Sequence, residues 1–163
     1  MVLRSCALLL LFTHFACSQL SAQSGDYIRQ QSCKNDAFVP QIDSIKKAMS
    51  SLGYVTVREA SMAMESAYEM PVIAPLNKDS WYYFIFIGDI SSRLYEVRMF
   101  DASDRQLFYK KNMWGEVDGN IIGYPYIPSS SELHMIKTVQ VNKKKKKDLC
   151  GYFMILKKVQ NAG

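Results

Sequence analysis

The feature that most constrains this chain is a change of period. Between Pro40 and Gly53 the apolar residues recur at helical spacing. From Tyr54 onward they recur mostly every second residue, in short runs separated by turn residues. Arg93 to Phe100 shows the second pattern most plainly, with Tyr95, Val97 and Met99 facing one way and Glu96 and Arg98 the other. Gln106 to Met113 is expected to return as its partner across a turn at Asp101 to Arg105. Pro71 to Leu76 reads as a short extended segment ending in the turn Asn77-Lys78-Asp79, and Ile121 to Ile127 as a strand after the turn Asp118-Gly119-Asn120. Leu133, Met135, Val139 and Val141 read as the apolar face of the next strand. Lys143 to Asp148 turns the chain, and Leu149 to Val159 closes it.

Trp81 to Ile87 (WYYFIFI) is apolar on both faces, which predicts a central strand covered on both sides. Residues 58–69 are ambiguous. Met62, Met64, Tyr68 and Met70 share one face of an extended chain, whereas Ala60, Ala63, Ala67 and the glutamates favour a helix; the strands that follow tip the reading to strand. Strands at hairpin spacing with no helical insertions predict a mainly β fold. The expected form is an antiparallel, jelly-roll-like β-sandwich of seven or eight strands over 54–163, with one amphipathic N-terminal helix.

That helix is expected over QIDSIKKAMSSLG, with Ile42, Ile45, Met49 and Leu52 on its apolar face, Pro40 at its start and Gly53 as its left-handed stop. It belongs to a segment, 23–53, whose first part is polar and has little to hold it in place except Cys33. Met1 to Ala22 is expected to be a signal peptide: Arg4 is its positive region, Cys6 to Phe15 (CALLLLFTHF) its apolar run, and Ala22 the small residue before a cut at Gln23. The apolar run is too short to span a bilayer. Lipidation at Cys17 is the alternative outcome, although His14 stands where a lipidation motif places a branched aliphatic. The expected location is therefore periplasmic or extracellular, with the membrane touched only peripherally or through such an anchor.

With the leader removed, Cys33 and Cys150 are the two remaining cysteines, and in an oxidising compartment they are expected to form one disulfide. A hydrophobic fraction of 48% and a charged fraction of 21% exclude a disordered chain. The net charge is +5, and five of the lysines stand together as Lys143, Lys144, Lys145, Lys146 and Lys147. Most runs of this kind are solvated loops. If this one binds, an exported chain meets envelope glycolipid or polysaccharide, and nucleic acid is not expected, since no aromatics interleave the lysines.

From Val72 to Leu156 the order of elements resembles the pre-peptidase carboxy-terminal type of β-sandwich. Leu76, Tyr83, Phe84, Leu94, Val97, Phe100, Asp101, Tyr126 and Pro128 carry the likeness. The resemblance implies a module that accompanies secreted enzymes without doing chemistry. Where those domains usually carry Gly-x-Tyr, this chain has Ser131-Glu132-Leu133. The leader with glutamine after the cut is also similar to those of uncharacterised exported proteins of Bacteroidota-type bacteria.

No nucleophile elbow, zinc motif, phosphate-binding glycine loop or dinucleotide fingerprint occurs, and no catalytic residue, cofactor or metal is expected. His134, beside Glu132, reads as an ordinary exposed histidine on a polar strand face. Asp89, Asp101, Asp104 and Asp118, with Asn120, cluster at turns and are the weak candidates for calcium, although aspartate also favours turns for its own hydrogen bonds. Trp114, Tyr124 and Tyr126 are candidates for a sugar-stacking platform, with core packing as the competing role. The functional expectation is a non-catalytic, exported binding or accessory module for a protein or envelope glycan. A small carbohydrate-active or hydrolytic domain and a polyanion binder using the lysine loop are the alternatives.

Overall fold

The computed structural model describes residues 31–34, 36–113 and 119–159, and the leader, Cys17, Trp114 and Asp118 lie outside them. A 3-10 turn (Asp36–Phe38) leads into α1 (Val39–Ser51). Eight strands follow: β1 (Tyr54–Met64), β2 (Met70–Leu76), β3 (Tyr82–Gly88), β4 (Leu94–Phe100), β5 (Gln106–Met113), β6 (Ile121–Tyr126), β7 (Glu132–Val141) and β8 (Leu149–Lys158). They form two four-stranded sheets, β1-β8-β3-β6 and β2-β7-β4-β5, and every pairing is antiparallel. Only β4 and β5 are joined as a hairpin within one sheet; every other connection crosses to the opposite sheet. That is jelly-roll topology, and it agrees with the fold expected from the sequence.

The inner faces supply the main core: Met62 and Met64 from β1, Phe84 and Phe86 from β3, Tyr95, Val97 and Met99 from β4, and Phe153 and Ile155 from β8. A second core lies outside the first sheet, where Ile85, Ile87, Tyr152, Met154 and Leu156 meet Phe38 and Met49. This explains the doubly apolar run in β3, which has the second sheet on one face and α1 on the other. Lys46 of α1 pairs with Glu59 of β1 at 2.5 Å, and the Tyr152 hydroxyl donates to the same carboxylate. Those two partners, Lys46 first, hold the Glu59 carboxyl below its usual range. Pro40 stands in the first turn of α1, and Gly53 takes φ +80 beyond its end, as expected. Cys33 and Cys150 are disulfide-bonded, with α-carbons 5.9 Å apart.

Four expectations need correction. The core-facing side of β7 is His134, Ile136, Thr138 and Gln140, one residue out of phase with the face read from the sequence, and Leu133 is 57% exposed. His134 is buried in consequence, not exposed. The reason is that the polar side chains are satisfied inside: the Tyr126 hydroxyl lies 3.1 Å from His134 Nε2, and Thr138 donates to the Met70 carbonyl. Residues 58–64 do extend as strand, but 65–69 form a turn that leaves Tyr68 on the surface. Leu52, placed on the apolar face of the helix, caps its end and stands exposed.

Candidate functional site at the loop end

The β1–β2, β3–β4 and β7–β8 connections meet at one end of the sandwich, and two buried polar residues, Gln140 of β7 and Asn142 just beyond it, stitch them together. Gln140 accepts a hydrogen bond from the Asp89 N–H (2.8 Å) and donates to the Cys150 carbonyl (3.0 Å), while its own carbonyl receives the Ala67 N–H. Asn142 donates through Nδ2 to the Ser91 carbonyl (2.6 Å) and lies 3.0 Å from its hydroxyl, and its Oδ1 accepts the Lys144 N–H (2.8 Å). The Asn142 N–H donates to Ser66 Oγ, its carbonyl receives the Lys145 N–H, and the Ser66 N–H donates to the Lys146 carbonyl. Lys145 adopts φ +49 within this tight turn. The run of lysines is thus a solvated loop at its side chains but a pinned one along its backbone.

Arg93 of the β3–β4 connection joins this loop. Its N–H donates to the Val141 carbonyl, and its side chain shares a cavity of about 270 Å³ with Lys143, Lys144, Lys146, Ser91 and Asn142. Four cations line that cavity, and no carboxylate does. Asp89, two residues before Ser91, is engaged by the N–H and hydroxyl of Ser91 (2.9 and 2.7 Å). Like charges gathered this way repel one another, and an anion seated among them removes that cost. Sequence reading found the lysines and missed Arg93, Ser91 and Asn142. Nothing in a linear pattern brings residues 91–93 beside 142–146.

Asn142 is the keystone of the loop and gives a direct test. Asn142→Ala leaves the Ser91 carbonyl and the Lys144 N–H, both on exposed residues, without this partner, and should lower stability by about 1–2 kcal/mol, the net worth of the partly buried hydrogen bonds lost. Chemical denaturation checks it. Hydrogen exchange at Lys144 and Lys145 should quicken far more than the global change requires; unaltered protection there would show that Asn142 does not pin the loop.

The other candidates divide by position. Asp89 stands before β4 and Asp101 after it, so the two lie at opposite ends of that strand, roughly 20 Å apart at strand rise. Asp101 accepts the N–H groups of Arg105 and Ser103 at 2.9 Å and pairs with the Arg105 guanidinium at 3.0 Å. Those bonds, that of the Arg105 N–H foremost, hold its carboxyl below the usual range. Asp104 takes φ +60 in the same turn. These aspartates act as turn formers, and among the described residues no three potential metal ligands gather. Asn120 bonds Gln41 and the Gly88 carbonyl. Tyr124 is core: its ring is stacked on Phe84 and Phe108 with centroids 5.0 and 3.7 Å away, and burial pushes its hydroxyl pKa up. Tyr126 packs edge-on against His134. The two tyrosines therefore make no sugar platform.

The opposite end of β8 carries a smaller basic and aromatic surface. Lys158 Nζ lies 5.4 Å from the Trp81 ring and 6.0 Å from that of Tyr54. The cation already covers the indole that would otherwise be free for stacking.

No family model matches the chain, and no curated protein matches its sequence. Among solved structures the chain is similar to CBM4 (14% identity, TM-score 0.39, covering 64% of this chain and 77% of that one). It is also similar to the Yersinia pseudotuberculosis-derived mitogen (8%, 0.39, 65% and 88%) and to TmCBM61 in complex with β-1,4-galactotriose (8%, 0.35, 66% and 83%). None of these likenesses bears on what the chain binds, and the architecture rests on its own strand order and register.

Proposed function

We propose that the chain is an exported, non-catalytic binding module that grips an anionic glycan with the loop end of its sandwich. The observation that carries this reading is the cavity walled by Arg93, Lys143, Lys144 and Lys146 on a backbone held by Asn142 and Ser66. A loop that served only solubility would need neither the pinning nor Arg93. Polymeric anions fit best, because the cations run on through Lys145 and Lys147 beyond the cavity. His134 is bonded to Tyr126 in the core and faces no solvent, so it is not placed to act as a base. Export is supported by the disulfide, which forms and persists in oxidising compartments.

Heparin, a sulfated glycan, is the probe. The parent protein should be retained on a heparin column at physiological salt, and the variant with Lys143 to Lys147 all replaced by glutamine should pass through. The five side chains are exposed, so its stability should change by less than about 1 kcal/mol. A parent that is not retained, or a folded variant retained equally, overturns the reading.

A further inference from the structure

Of the exposed large apolar side chains among the described residues, Ile90 (72%) and Tyr68 (68%) are the two most exposed. Both flank the lysine loop, on opposite sides of it. Ile90 precedes Ser91, whose carbonyl and hydroxyl are held by Asn142. Tyr68 follows Ser66 and Ala67, whose N–H groups donate to Lys146 and Gln140, and it lines a second cavity together with Lys147. The end of the sandwich therefore carries an apolar tip, a bank of cations and a second apolar tip, all on connections bonded to one another. A soluble polysaccharide gives no reason to raise an isoleucine beside the lysines. A bilayer surface does: anionic headgroups meet the ammonium and guanidinium groups while apolar tips enter the acyl boundary.

We propose that this end docks on an anionic lipid surface, with Ile90 and Tyr68 entering the interface and Arg93 with Lys143 to Lys147 on the headgroups. The inference rests on the anion-binding reading above and names where the anions sit. Charge supports it: the acids at this end are Glu65, Glu69, Asp89 and Asp148, of which Glu69 is paired with Arg98 and Lys137 and Asp89 is bonded to Ser91. That leaves the cations in excess.

The test is co-sedimentation of the protein with vesicles of phosphatidylcholine alone and of phosphatidylcholine mixed equally with phosphatidylglycerol, alongside heparin retention. The parent should sediment only with the anionic vesicles. The Ile90→Ser/Tyr68→Ser variant should bind them roughly tenfold more weakly while keeping its melting temperature and its heparin retention, because neither side chain is buried. The five-glutamine variant should lose both. Equal vesicle binding by parent and serine variant overturns the lipid inference, and so does parent binding to both kinds of vesicle. A parent that binds heparin and ignores vesicles overturns the lipid inference and leaves the glycan reading standing; one that binds neither removes both.

Discussion

Replacing Cys33 by serine should lower the stability of the protein by up to about 4–5 kcal/mol, the chain-entropy value for a closed loop of this length. The bond spans a sequence separation of 117 residues, so reduction releases nearly the whole fold in the unfolded state. The local consequence is as large. Cys33 and Cys150 belong to the core between α1 and the first sheet, together with Phe38, Met49, Tyr152 and Met154. Without the bond, the described ties of the segment around Gln31 and Cys33 to β1 are the hydrogen bonds from the Ala63 N–H to the Gln31 carbonyl and from the Ser61 hydroxyl to the Cys33 carbonyl. Denaturant unfolding of parent and variant, with the bond verified by non-reducing peptide mapping, measures the effect. Equal midpoints would mean that the bridge does not hold the tail and helix on the sheet.

Gly88→Ala should cost about 1–3 kcal/mol or more, as overpacking does. A Cβ at this position would stand 2.2 Å from Tyr95 Cδ1 and 2.4 Å from Cε1, with the Gln140 side chain at 3.3 Å. Tyr95 cannot easily withdraw. Its ring is fully buried, and its hydroxyl bonds the Asp89 and Ser92 carbonyls at 2.9 and 2.8 Å. Burial, with the Asp89 charge second, pushes its pKa up to about 12, so it stays a neutral donor throughout the ordinary pH range. Gly151 makes a useful contrast, since the closest atom to its Cβ is the flexible Met64 Sδ at 2.5 Å, which can swing aside. If the clash is the cause, adding Tyr95→Leu to Gly88→Ala should cost less than the sum of the two changes. Strict additivity in that cycle would contradict the packing account. The variant should also disturb the Asp89 to Arg93 connection, and with it the placement of Arg93.

How much of this was readable in the sequence depended on what each side chain had to satisfy. β3 announced itself because it is apolar on both faces, and β4 because Tyr95, Val97 and Met99 alternate with Glu96 and Arg98, although Glu96 is itself buried and paired with Arg98. β7 misled because Thr138, Gln140 and His134 are buried with partners from other elements, and a count of hydrophobic residues assigns such positions to solvent. Alternation also says nothing about which sheet a strand joins. The lysine loop turns the chain, as expected, and in doing so carries it from one sheet to the other. Of the candidate site, the contiguous lysines were legible and Arg93 was not, because the Asn142 to Ser91 bonds that bring the two loops together span 51 residues. Spacing put Tyr68 on one strand face with Met62, Met64 and Met70, since the turn with Ala67 at φ +70 leaves no mark in an alternation pattern.

The central claim, that the loop end of the sandwich is a site for anions, is tested most directly by titrating parent and five-glutamine variant with a heparin oligosaccharide at several salt concentrations. Ion release on binding makes the logarithm of the affinity fall linearly with that of the salt concentration, more steeply the more cations engage. The account predicts a steep slope for the parent and a loss of both affinity and slope in the variant. Equal slopes in the two proteins, or a parent affinity indifferent to salt, would contradict it.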